Sequence, residues 1–412
     1  MTANLQRTVE SPVTVEPITT DSIKTAKEKT TVAKAARLFF IDRFRSALTL
    51  LVVLHHVAVV YGEGISFYYV EPANMESLTY LVLLVFVLAN QGWFMGAFFL
   101  LAGYFTPGSY DRKGSGAFLK DRLLRLGIPL IVWLFVLGPI TSIGMYLEPS
   151  PRIPDPLTWQ NYWQAYPYLL GLGPLWFVAL LLIFSFGYAA WRMVTPNRES
   201  SVNSNASLPS YLSIGIFTLA LAVVSYLVRI IVPLGKSVNL FVDFLDFPTL
   251  AYLPQCLSFF VLGTIASRHD WFRRLPGSIG TAGFVAVIVA FILLFPLAFL
   301  SGLKGQFLGY GQWQSAVYAL WDSIFAVGLC LGYLTLFRRL FDKESRLGTF
   351  LARQSYAVYI LHSPIIVLVA VALKGVELEH FLKFGLVSVI VIPLCFVVAY
   401  VIRKIPGVSR IL

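Results

Sequence analysis

"IDRFRSALTLLVVLHHVAVVYG", Ile41 to Gly62, decides the fold. Nearly every residue is compatible with lipid, and its length suits a hydrocarbon core of about 30 Å. Yet Arg45 stands near its start, and two adjacent histidines, His55 and His56, interrupt the apolar run. Arg45 and His56 are eleven residues apart, which at about 100° per residue falls roughly 20° from whole turns, so both share one helix face. The rise between them is about 16 Å, roughly half the core thickness. Arg45 is therefore expected at the mouth of a span and His56 near its midplane, with His55 turned about 100° away. Ionisable groups inside a span are costly to insert and mark functional sites by default. The bland reading of His56 is a hydrogen bond to a neighbouring helix.

Working outward, the rest of the chain repeats the pattern. Hydrophobic residues make up 57% of the 412 and charged ones 13%, about half of the roughly 25% typical of soluble domains. Ten apolar runs are long enough to cross a bilayer: 44–62, 78–105, 126–147, 174–194, 211–232, 250–267, 279–300, 314–337, 356–373 and 381–402. The fold class expected is an all-α polytopic membrane protein with ten transmembrane helices and both termini cytoplasmic. With that orientation only Arg152, Arg229, Lys236, Lys304, Lys374 and Lys383 of the 32 Lys and Arg fall outside, the asymmetry the positive-inside rule demands. The net charge of +11 then follows from basic residues spread over cytoplasmic connections, without nucleic acid as a partner.

Residues 1–36, rich in Thr, Lys and Glu and without an apolar run, read as a disordered cytoplasmic tail. The ten-helix domain then occupies 37–412. The tail has neither the apolar core of a secretory signal nor, given Glu10, Glu16, Asp21 and Glu28, the composition of a transit peptide. Thr195–Ser210 reads as a flexible inside loop. Cys256, Cys330 and Cys395 each fall within a span and read as small core residues, with no Cys/His spacing suited to a metal. No phosphate loop of the nucleoside-triphosphatase kind is present.

Other polar residues extend the pattern. His362 in "QSYAVYILHSPII", Gln354–Ile366, lies near mid-depth, and Pro364 frees a backbone carbonyl beside it. A catalytic histidine and one satisfied by a kinked backbone fit equally well. Tyr356 and Tyr359 suit either an interface belt or the same cavity. In "FLKDRLLRLGIP", Phe118–Pro129, Arg122 and Arg125 share a helix face. Their planar forks suit phosphate oxygens, and lipid headgroups equally. Gly92 and Gly96 read as helix packing, Trp176 as part of an outer aromatic belt, and Asp322 and Arg229 as an acceptor entrance or a simple pair.

Taken in order, these motifs resemble the family-three membrane acyltransferases. "IDRFRSALTLLVVLHH" is similar to the family's first helix, a basic residue followed by ten others and a histidine, with Asp42 in the place of the preceding acid. "FFLLAGYFTP", Phe98–Pro107, resembles its FF-x-L-S-G-F segment with Ala102 for serine. "RLLR", Arg122–Arg125, resembles its RxxR, "GPLWFVALL" its LWFL-type segment and "SYAVYILHSPII" its SYxxYLxHxP segment. The resemblance covers Ile41 to Pro364. The glutamate that follows the LW segment in O-antigen acetylating members is missing, and so is their added esterase-like domain. The likeness is therefore to the single-domain branch that decorates glucans and other surface polymers.

This resemblance implies an acyl-CoA donor, read as acetyl-CoA, entering from the cytoplasm and no permanently bound cofactor or metal. It implies an outer hydroxyl acceptor on a carbohydrate or lipid-linked glycan, in contact with membrane lipids of a bacterial cell membrane. The catalytic residues expected are His56, Arg45 and His362, with Arg122 and Arg125 holding the donor's phosphates. A neutral histidine suits the removal of a proton from a hydroxyl; whether His56 acts so or is itself briefly acylated is left open. The rival from another class is a proton-coupled secondary transporter using the His and Arg residues. Against it, His56 and His362 fall in spans one and nine, which are not equivalent under a five-plus-five repeat. A non-catalytic scaffold would leave the midplane histidines without a use.

Overall fold

The structure is a computed structural model that describes residues 37–62, 67–71, 77–146, 158–195, 207–236, 238–239, 246–247 and 250–412. The tail 1–36 and most of the polar loop 195–210 lie outside the described residues. The compact unit runs from Phe39 to Leu412. Among the described residues, ten helical segments are long and apolar enough to cross a membrane: α1 Phe39–Gly62, α2 Leu78–Lys113, α3 Ser115–Met145, α4 Gly173–Val194, α5 Tyr211–Ile231, α6 Leu250–Arg268, α7 Gly277–Ser301, α8 Trp313–Phe341, α9 Arg346–Ala372 and α10 His380–Ile402. Helices are the economical answer because lipid offers no partner for backbone N–H and C=O groups. Beside them stand a short helix, Trp159–Leu169, and a two-residue ladder pairing Val238 with Phe247 and Asn239 with Asp246.

Polar side chains fix where several helices begin. Ser77, Ser210 and Ser345 accept the amides of Tyr80, Ser213 and Gly348 at the starts of α2, α5 and α9. Glu379 does the same for Phe381 and Leu382 at α10. Each satisfies an amide that the helix itself leaves orphaned.

Helix direction follows from contact pairs. Arg45 touches Ala352, Ser46 touches Ser355 and His56 meets His362, so α1 and α9 run side by side and parallel. Tyr61 faces His380 while Arg403 reaches Arg353 and Gln354, so α10 runs back against both. Helices α2 and α6 are parallel, from Gly92 against Gln255 to Asp111 against Arg268. This alternation gathers Arg112, Lys113, Arg192, Arg268, Arg338 and Arg339, all in last turns of even-numbered helices, at the end that carries Arg45. Arg229 in the last turn of α5 is the exception, and it is buried against Asp322 at 2.5 Å.

The centre of the bundle is α1 and α9. In their apolar windows 67% and 72% of residues are buried, against 22% for α5 and 28% for α7, which places the latter two toward lipid. Close approaches need glycine. A methyl on Gly103 would lie 2.1 Å from the Phe260 carbonyl oxygen, and one on Gly263 2.2 Å from that of Leu100, so α2 and α6 touch backbone to backbone.

Two details depart from the sequence reading. The second span is broken at Gly92–Trp93, where the Gly92 carbonyl accepts Gln255 Nε2 at 2.6 Å. Gly96 also faces Gln255, so this glycine pair serves packing as expected. Trp176 does not join an aromatic belt: it is 8% exposed and packs on Phe99.

Candidate functional site

The site is built from α1 and α9 because their parallel register brings two mid-helix histidines together. The His56 and His362 ring centroids are 4.7 Å apart. His56 Nδ1 lies 2.8 Å from the Val52 carbonyl oxygen and His362 Nδ1 2.6 Å from that of Tyr359. A carbonyl only accepts, so in each neutral ring Nδ1 carries the proton and Nε2 keeps its lone pair. His362 is fully buried, with Ser363 Oγ 3.2 Å from its Nε2. His56 retains accessible surface despite its place inside the bundle. His55 is buried, 5.2 Å from His56 ring to ring, and packs on Phe94.

Helix α9 stays helical through Pro364. Its tyrosines are tethers more than belt residues. Tyr359 donates to the Pro174 carbonyl at the start of α4, and its ring stands near Phe98 and Phe177. Tyr356 donates to the Arg125 carbonyl at 2.6 Å. That carbonyl lies four residues before Pro129, which has no N–H to offer it. A π-helical turn over Leu123–Gly127 marks the same place. The device recurs one stretch later, where Tyr166 donates to the Phe135 carbonyl, four residues before Pro139, at 2.8 Å.

Near the other end of the α1–α9 seam, Arg45 Nη2 bonds Asp42 at 3.2 Å and the Ala352 carbonyl at 3.1 Å. Ala352 is one turn before Tyr356, so Arg45 and the Arg122–Arg125 turn flank the same stretch of α9. The Arg125 side chain is 54% exposed and pairs with Asp121 at 3.2 Å, leaving guanidinium edges free to face a ligand. Arg122 lies over the Phe118 ring at 5.0 Å, and its Nε has no partner. Arg45 thus sits about 16 Å of helix rise from His56. Asp322 and Arg229, the alternative acceptor entrance, form a buried pair tying α5 to α8.

One element went unnoticed in the sequence. Residues Phe67–Glu71 lie across the site at the Gly62 end of α1: Phe67 packs on His56 at 5.2 Å and Tyr68 on Trp133 at 6.2 Å. Burial raises the Tyr68 hydroxyl pKa above its ordinary value. Nothing in the sequence set Glu71 and Lys383 apart from neighbouring charges such as Glu76 and Glu379. Among the described residues no group of three or more His, Cys, Asp or Glu is placed to hold a metal ion.

An acyltransferase domain description matches residues 38–403, and the chain belongs to that family: it is an integral, multi-pass membrane acyltransferase of the bacterial inner membrane. Among curated relatives it is similar to "Glucans biosynthesis protein C" of Salmonella schwarzengrund, 24% identical over 344 residues, 80% of this chain and 83% of the relative. The proteins of that name from Salmonella typhi and Salmonella typhimurium are 25% identical over the same shares. No solved structure matches.

Proposed function

We propose that this acyltransferase moves an acyl group, acetyl in our reading, from acyl-CoA to a hydroxyl of an extracytoplasmic carbohydrate or lipid-linked glycan. The end carrying Arg45, Arg122 and Arg125 is the cytoplasmic one. Those guanidiniums hold the donor phosphates through charge-assisted bonds, and the pantetheine arm runs up the α1–α9 seam to the histidines. His56 Nε2 takes the proton of the acceptor hydroxyl as its oxygen attacks the thioester carbonyl carbon. The C–O bond forms, the C–S bond breaks, and the thiolate leaves with a proton returned from the histidine pair.

The observation that carries this reading is the matched tautomer of two facing imidazoles, each held by a carbonyl of its own helix with its Nε2 lone pair left to accept a proton, that of His362 meeting the Ser363 hydroxyl. The parallel seam linking them to Arg45 supports the route for the donor, and a water-poor interior limits loss of the thioester to hydrolysis. The names of the relatives support a glucan among acceptors. The test is mass spectrometry of surface glycans and lipids from cells with and without the gene. Acyl groups missing only in the deletion are expected; identical acylation would reject the proposal.

A further inference from the structure

The residues Phe67–Glu71 are held by a contact that nothing in the chemistry above requires. Lys383 lies in the first turn of α10, where the helix dipole disfavours a cation, and its side chain is 1% exposed. It meets both Glu71 carboxylate oxygens, at 2.6 and 2.7 Å, over the Tyr61 ring at 6.0 Å. The Glu71 amide donates to the Val60 carbonyl at 2.9 Å, so this end of the strap is fastened to α1 as well as to α10. The other end is wedged. A methyl on Gly173 would fall 2.1 Å from the Tyr68 hydroxyl, and one on Gly144 2.7 Å from the Tyr68 carbonyl oxygen. Next to the wedged Tyr68, Phe67 lies on His56.

We propose that the Glu71–Lys383 pair is a latch that holds Phe67–Glu71 as a cap over the histidine pair, and that this cap sets how the acyl group divides between acceptor and water. Hydrolysis is the competing reaction: water oxygen attacks the same thioester carbon, the C–S bond breaks, and the water proton passes through His56 to the departing sulfur, giving a carboxylic acid and free CoA. An apolar ring packed on His56 excludes that water, whereas a sugar hydroxyl arriving with its own binding surface displaces the ring. Glu71 and Lys383 are positioning residues that act through Phe67. Removing one partner of this part-buried pair leaves the other charge uncompensated, which releases the strap. The partition half of this proposal rests on the function proposed above; the latch half does not.

Two readouts on the purified full-length protein test it. Hydrogen exchange of amides 67–71 is slow in the wild type and accelerates in Lys383→Met and in Glu71→Gln. The charge swap Glu71→Lys with Lys383→Glu slows it again. Acceptor-independent CoA release from acetyl-CoA rises in the single variants by about tenfold, equal to ~1.4 kcal/mol of barrier, with donor KM unchanged, and falls back in the swap. Unchanged exchange in both single variants overturns the latch. Faster exchange with an unchanged ratio of CoA release to transfer overturns the partition. A wild type that releases no CoA even with acceptor present contradicts the donor assignment, and the exchange measurement still decides the latch.

Discussion

The His56 and His362 rings, on the first and ninth helices, face one another at 4.7 Å. Each is oriented by a carbonyl of its own helix. On the proposed function two bases so close would act on one substrate, and their losses would not add. His56→Ala is expected to lower kcat by about 10²–10⁴-fold, His362→Ala less, and the double variant by much less than the product. Steady-state kinetics of the three variants checks this; a multiplicative double variant would separate the histidines.

The basic mouth predicts losses in donor binding instead. Arg122→Ala and Arg125→Ala each weaken acyl-CoA binding by about 1.5–3 kcal/mol, the range for hydrogen bonds to charged groups. Lysine rescues only in part, since an ammonium lacks the planar fork. Tyr356→Phe, which releases the Arg125 carbonyl, costs about 0.5–1.5 kcal/mol. Calorimetric titration with CoA separates the three, and unaltered affinity in both alanine variants would leave these arginines as lipid anchors.

The Arg229–Asp322 pair, with side chains 1% and 2% exposed, is structural. Arg229→Met or Asp322→Asn alone strands a buried charge or its partner and costs about 3–5 kcal/mol, while an apolar double replacement is near neutral. Thermal unfolding in detergent reads both; a double variant as unstable as either single one would argue for a role beyond pairing.

Glu379 gives a dependence on pH. Its carboxyl is held below the usual carboxylate range, first by the Thr79 hydroxyl and then by the Leu382 and Phe381 amides. A group whose folded pKa is depressed contributes stability above its unfolded pKa and loses it as pH falls through the folded value. The wild type should therefore lose more thermal stability on acidification below the usual carboxylate range than Glu379→Gln does. Parallel acid titrations of the melting temperature would refute this.

Much of this architecture was legible in the sequence, because membrane insertion is a local matter. Length and apolarity set the ten spans, and helix periodicity alone put Arg45 and His56 on one face. The approach of His362 to His56 was not legible, since it depends on α9 lying parallel to α1 in one register. Trp176 misled because an amphipathic ring near a span end suits both a lipid boundary and a packed core, and only the presence of Phe99 decides. The strap was missed because Glu71 and Lys383 are distant in the chain and each alone looks like an outer-loop charge.

Transfer from labelled acetyl-CoA to a membrane-derived glycan acceptor, followed with purified wild type and His56→Ala, tests the central claim most directly. The wild type should form labelled product, and His56→Ala should bind donor with unchanged affinity while losing turnover by at least about a hundredfold. Turnover in His56→Ala at the wild-type rate would contradict the assignment of His56 as the base.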